Sequence, residues 1–409
     1  MNNEPAVKLR EQGKEYQTPL IFFPFLILAV ASFLITKKIT LMGFTDLSVH
    51  IQLANQFLAG EAQITYPGWH LIYGLLHAIG LSEVNAGAAA TSFYSVLAIL
   101  SVYVVISSLR PAMTALEKSG ILIFFSFFGP LRFQALDGHY LIGQSSFNIW
   151  HNPTNTAVKF MAILLFFAFV SRLQMEKTAK IQVFGKQFSR QWLDGFIAVG
   201  LVISVLLKPS FFQVFCPSVF LMCLIELWND RKNFKNRFLD CVHLGLLFLP
   251  ALLLVLYQST TVFGGESGVE IAFLNVWKAY SSNVLLSILT TAIFPLFIGA
   301  FCTDGFEKNK LFWYAFLFYV VSVAEAAFLA ETGAHCSDGN FFWGISLAVG
   351  IVFLAALLTF TRYLHDHWNE QKILIRLKAG VGYLILTMHF CFGLWYYFQI
   401  LSGSSGQFF

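Results

Sequence analysis

Charge is what this sequence is short of. Asp, Glu, Lys and Arg make up 12% of its 409 residues, about half the share carried by a soluble globular domain. That shortage excludes an ordinary soluble enzyme, and no nucleic-acid partner is expected. No soluble domain, linker, low-complexity tract or clear internal repeat interrupts the chain. The six cysteines, Cys216, Cys223, Cys241, Cys302, Cys336 and Cys391, show neither metal-type spacing nor a disulfide framework. Five of them fall in or beside apolar runs and read as small core residues. No small-residue cleavage site follows the first apolar run, Pro19 to Thr36, which therefore reads as a retained signal-anchor helix.

What the chain has in excess is apolar length. It is 57% hydrophobic and 17% aromatic, with 46 phenylalanines. Runs of about 18 to 20 apolar residues alternate with short charged loops, the signature of an all-α polytopic membrane protein. Eleven spans are expected, at 19–36, 84–109, 119–136, 156–173, 193–208, 211–228, 239–257, 284–303, 311–330, 345–364 and 379–402, within a single integral-membrane domain covering 1–409.

The basic residues orient these spans. With the N-terminus in the cytoplasm, only Lys37, Lys38, Arg132, Lys159, Lys208 and Lys278 of the 26 basic residues fall outside. The odd span count then puts the C-terminus outside. Making Tyr66 to Gly80 a span of its own would reverse every later loop and spoil this bias. That stretch instead predicts a helix at the external interface. The long external segments are 37–83, 132–156, 258–283 and 331–344, and they carry most of the polar chemistry.

Thr45 to Glu83 concentrates ionisable groups beside the membrane. Thr45 is placed to cap a helix. Asp46 and His50 stand one turn apart, while Leu47, Ile51, Ala54 and Leu58 form a separate apolar stripe. After the break at Tyr66-Pro67-Gly68, His70, Tyr73 and His77 share the stripe of a second helix. The pattern suits external juxtamembrane helices within 45–80, with polar atoms that either face water or serve a site. In the second case Asp46 is a general base aimed at an acceptor hydroxyl, and His50 orients it or contacts phosphate.

The order of features here is a span, an acid in the first external loop, an amphipathic helix, the segment Tyr66-Pro67-Gly68-Trp69-His70-Leu71, the turn Leu81-Ser82-Glu83, and a long span closing in Arg110. It resembles, over residues 20–110, the polyprenyl-phosphate-sugar-dependent glycosyltransferases of the GT-C superfamily. This chain has a single acid where that family has a pair, and Gly68 where it has a proline. The resemblance implies a GT-C-like fold, a lipid-linked sugar donor, and Asp46 as catalytic base. The stretches GQSSFNIWHNPTNTAVK, LLKPSFF and ETGAHCSDGNFFWG resemble uncharacterised bacterial multi-span proteins of surface polysaccharide loci, which implies a place in the bacterial cytoplasmic membrane and the cell envelope pathway.

Further residues join the candidate site. Gln144, Trp150, His151 and Asn152 offer an aromatic platform and directional hydrogen bonds for a sugar, although Trp150 suits an interface anchor equally well. Asn152-Pro153-Thr154 also reads as the start of a helix. Lys159 and Lys208 are either snorkelling lysines or the phosphate holders of a lipid donor. Glu325 lies inside an apolar run, where a carboxylate is costly and faces a cavity or a partner. Glu331, His335, Asn340 and Trp343 make the next loop a candidate sugar-binding lid. Metal binding by Glu331, His335 and Asp338 has no diagnostic spacing, so no cofactor is obligatory. His50 and His70 complete the substrate-positioning set.

The leading expectation is an inverting membrane glycosyltransferase that moves a sugar from a polyprenyl-phosphate donor to a lipid-linked or cell-wall glycan acceptor on the external face. Two alternatives stay open. One is a surface-polysaccharide polymerase or ligase using lipid-diphosphate donors. The other is a polysaccharide or lipid transporter or flippase, for which His243, Glu325 and His389 are the main interior polar candidates.

Overall fold

An apolar segment that crosses a bilayer alone has to satisfy its own backbone N–H and C=O groups, and the α-helix does so. The computed structural model describes residues 17–43, 45–133, 143–176, 179–262, 268–333 and 336–403. In chain order its helices are α1 (Gln17–Met42), α2 (Asp46–Leu58), α3 (Gly68–Ala78), α4 (Glu83–Leu109), α5 (Ala115–Phe127), α6 (Pro153–Gln174), α7 (Arg190–Leu207), α8 (Ser210–Asn229), α9 (Phe234–Leu246), α10 (Leu249–Val262), α11 (Asn275–Tyr280), α12 (Val284–Phe301), α13 (Lys310–Phe328), α14 (Phe342–Asp366) and α15 (Ile373–Leu401). Nine of these, among the described residues, are long and apolar enough to cross a membrane. They coincide with nine of the eleven expected spans.

The other two expected spans need correction. The span at 239–257 is the broken pair α9 and α10, bent by 40°. Pro250 explains the break. It lacks an N–H, and its ring clashes with the carbonyl four residues back, at Leu246, where α9 ends. The span at 119–136 is a 13-residue helix, α5, about 20 Å long against a core of about 30 Å. Gly129-Pro130 ends it, and the chain continues extended and buried.

Non-helical backbone inside a bundle needs outside partners, and this stretch has them. Gly129 N–H donates to the His389 carbonyl at 3.0 Å, and His389 Nδ1 pairs with the Gly129 carbonyl at 2.6 Å. Asn148 Nδ2 donates to the carbonyls of Phe125 and Phe128 at 3.1 and 2.9 Å. The crossing of α15 over this segment requires Gly393, since a Cβ there would overlap the Phe127 carbonyl.

Among the described residues, two small antiparallel ribbons accompany the helices. β1 (Ile181–Val183) and β2 (Lys186–Phe188) pair Ile181 with Phe188 across the turn Phe184-Gly185, both of whose residues have positive φ, as a tight hairpin demands. β3 (Val269–Ile271) pairs with β4 (Leu329–Glu331), with Val269 opposite Glu331. That ribbon fixes Glu331 at the end of α13. At the centre stands α14, in which every residue from Phe342 to Phe360 is buried. A helix apolar on all sides belongs inside a bundle.

Candidate functional site

The site begins with two helix caps that meet. Thr45 caps α2, its hydroxyl accepting from Leu47 N–H at 3.1 Å and donating to the His151 carbonyl at 2.8 Å. Asp46 thereby sits in the first turn of α2, where the helix dipole favours a carboxylate. Asn152 caps α6, with Pro153 at the first helical position. Its Oδ1 accepts from Asn155 N–H at 2.8 Å, from the Thr154 hydroxyl at 3.0 Å and from Lys208 Nζ at 3.3 Å. Its Nδ2 donates to Asp46 Oδ2 at 2.8 Å. The cap fixes the orientation of the amide, because a flipped Asn152 would turn its NH2 against three donors. One side chain therefore holds a carboxylate on one side and an ammonium on the other. Asp46 itself is half-buried rather than sealed in the core.

Lys208 follows α7 directly. Its ammonium also donates to the Thr154 hydroxyl at 3.2 Å and lies 5.0 Å from the centre of the Trp343 ring and 6.0 Å from that of Tyr66. Burial pushes its pKa down to about 8, opposed by the carboxylates of Asp46 and Glu331. Beside it is a cavity of about 150 Å³ whose lining includes Tyr66, Lys208, Ser210, Gln258, Glu331 and Trp343. Glu331 is steadied by Asn340, whose Nδ2 donates to Oε2 at 2.7 Å. The Tyr66 phenol is raised by burial first, then by Glu331 and Asp46. Ser210 Oγ and Gln258 Oε1 are buried without a hydrogen-bond partner among the described residues. The volume is below the roughly 300 to 1,000 Å³ of a drug-sized pocket. It suits a compact group such as a phosphate, held by Lys208 and the Ser210 hydroxyl at the start of α8.

Next to Asp46 is a histidine pair, His50 Nδ1 to His70 Nε2 at 3.0 Å. Burial, then His70 and Lys208, lowers the pKa of His50 to about 3. Burial lowers that of His70 to about 4, with the polar backbone of Tyr66 opposing. Both rings are neutral at pH 7, one donating to the other. The unfolded chain takes up these protons near pH 6.5, before the folded chain does. The contribution of the joint is therefore full above about pH 6.5 and is lost as pH falls towards about 4 and then about 3. Amide exchange in α2 and α3, corrected for intrinsic chemistry, is expected to accelerate across that window. A flat profile would remove the neutral-pair assignment.

The sequence-derived candidates divide. Asp46, Asn152, Lys208, Glu331, Asn340 and His151 gather here, with His50 and His70 alongside. The His151 ring stands 5.6 Å from Trp343, and burial lowers its pKa, with Asp46 opposing and Lys208 assisting. Lys159 does not line the cavity. It is buried inside α6, its ammonium 4.6 Å from the centre of the Phe147 ring. Gln144 serves the interrupted helix, its Nε2 donating to the Leu131 carbonyl at 2.8 Å. Trp150 is a core residue packed edge-on to Tyr397 rather than an open platform. Glu325 lies in α13 away from the cavity, with Oε2 buried and unpartnered among the described residues. His335 lies outside the described residues.

Trp343, expected in the lid, lines the cavity, and Thr154, Tyr66, Ser210 and Gln258 complete the site without having been singled out as site residues. Tyr66 stands in the segment that begins the second external helix, whereas Gln258 carries no motif. Among the described residues no three His, Cys, Asp or Glu side chains are placed to hold a metal ion. No known protein family and no curated protein matches the chain.

Proposed function

We propose that this multi-pass membrane protein is a glycosyltransferase of GT-C-like architecture. It takes a sugar from a polyprenyl-phosphate donor and passes it to a glycan or lipid-linked acceptor, on the non-cytoplasmic face of a bacterial cytoplasmic membrane. The observation that carries the reading is Asn152, which holds the Asp46 carboxylate and the Lys208 ammonium on opposite sides of one amide. Asp46 takes the proton of the acceptor hydroxyl as that oxygen attacks the anomeric carbon. Lys208 stabilises the charge that develops on the departing lipid phosphate. Lys159, being elsewhere, has no part in this.

The arrangement of charge supports the sidedness. Arg110 meets His365, Arg362 meets Lys308, and Lys378 meets Phe301. These contacts lie at helix ends opposite those that carry Asp46, Lys208 and Trp343. The basic loops therefore gather away from the site, the bias expected of a cytoplasmic face.

The test is transfer of radiolabelled sugar from a polyprenyl-monophosphate donor by the purified protein, followed across pH. A phosphate anion requires the protonated lysine, so donor KM is expected to rise as pH passes about 8. Arginine stays protonated throughout this range. Lys208→Arg is therefore expected to keep activity and flatten the alkaline rise. No turnover of the monophosphate donor, with turnover of a diphosphate donor, would replace this reading by that of a polymerase or ligase.

A further inference from the structure

A second cleft opens at the other end of the bundle. It lies between α5, α14 and α15 and encloses about 450 Å³. Its walls are largely apolar, formed by Ile121, Phe124, Leu357, Phe360 and Leu386. Gly120 leaves the space open, since no atom stands within 4 Å of the place a Cβ would take. Trp343 and Leu364 are both on α14, 21 residues apart, which is about 32 Å of helix. The cleft is thus separate from the Lys208 site.

Towards the turn between α14 and α15 the lining changes character. Leu364, Trp368 and Tyr383 border both the apolar cleft and a polar recess of about 330 Å³ that includes His367, Asn369 and Arg376. The carboxylates that line the cleft and the recess are already compensated. Glu117 caps α5 through Thr114 and meets His365 at 2.6 Å, and Glu370 meets Lys372 at 2.8 Å. Arg376 makes no ion pair among the described residues. Its Nη2 donates to Gln371 Oε1 at 2.7 Å. Trp368 is 80% exposed and Tyr383 55%, the aromatic types that sit at a headgroup boundary.

An apolar slot continuous with a recess that holds an uncompensated guanidinium matches an amphiphile with an anionic head. An apolar cavity does not hold ordered water, while a guanidinium pairs with phosphate through two parallel hydrogen bonds. We propose that this cleft binds an anionic phospholipid, with one acyl chain beside Gly120 and the headgroup phosphate at Arg376. The site is independent of the transferase reading.

Native mass spectrometry of the full chain in detergent, titrated with phosphatidylglycerol and with phosphatidylcholine, tests it. The unmodified protein is expected to retain phosphatidylglycerol preferentially. Gly120→Phe fills the slot and is expected to weaken that binding at least tenfold. Gly120→Leu, which also raises the helix propensity of α5, is expected to do the same without loss of fold. Arg376→Gln is expected to abolish the preference for phosphatidylglycerol. Unfolding midpoints measured without added lipid control for folding. Binding by both Gly120 variants within twofold of the unmodified protein overturns the proposal. So does an unchanged preference in Arg376→Gln, or a polyprenyl phosphate co-purifying in place of a phospholipid.

Discussion

Asp46→Asn is expected to lower kcat for sugar transfer by about 10²- to 10⁴-fold, the usual weight of a positioned general base, with little change in donor KM. The substitution keeps shape and removes only the proton-accepting charge. The new amide oxygen still accepts from Asn152 Nδ2, and Thr45 still caps α2. Loss of the negative charge at the helix start costs about 0.3 to 1 kcal/mol, too little to unfold α2 against its buried stripe of Leu47, Ile51 and Ala54. A second signature separates a lost base from a disturbed fold. Asp46 helps to hold the pKa of Lys208 up, so its neutralisation shifts the alkaline rise in donor KM to lower pH. Single-turnover transfer and the pH profile of KM measure the two effects together. Transfer at the unmodified rate would end the assignment of Asp46 as base.

Why this site was only partly legible follows from where its contacts come from. The Asn-Pro-Thr sequence announces a helix start. It does not announce that the Asn152 amide faces a carboxylate 106 residues earlier in the chain. Gln144 and Trp150 look like members of a polar external loop because hydropathy averages over the neighbours. The chain there dips into the bundle instead, and Gln144 satisfies backbone that the Gly129-Pro130 break leaves exposed. The same averaging hid the breaks themselves, since one glycine-proline pair or one Pro250 hardly lowers the mean of an apolar window. The two lysines differ by helical arithmetic. Lys159 stands seven residues beyond Asn152 along α6, about 10 Å further into the bundle, whereas Lys208 ends its helix level with the cap. The long spans were legible because length and apolarity alone require them. The site depends on which helix ends meet, and a linear pattern does not carry that.

Arg172 is the position whose loss is expected to cost the most stability. It is 1% exposed near the end of α6 and joins three helices. Its Nε meets Asp194 of α7 at 2.5 Å and its Nη2 meets Asp240 of α9 at 3.1 Å. Arg190 also pairs with Asp240, and His243 meets Asp194 at 3.1 Å. The partners lie 22 and 68 residues away, so the sequence shows Arg172 only as one more basic residue at a span end. Removing one member of a buried ion network leaves its partners desolvated and uncompensated, at a cost of about 3 to 5 kcal/mol. Arg172→Ala is therefore expected to lower the thermal unfolding midpoint in detergent clearly, while Arg172→Ala with Asp194→Asn recovers part of the loss by removing the stranded charge. The recovery is the informative result, because a simple cavity at Arg172 would not respond to Asp194. If Arg172→Ala changes stability by less than about 1 kcal/mol, the range of an ordinary surface substitution, the network does not bind α6, α7 and α9 together. With this end of the bundle loosened and Asp46 untouched, donor KM at pH 7 is expected to hold at temperatures below the new midpoint, since the two ends are joined by rigid helices rather than by a shared cluster.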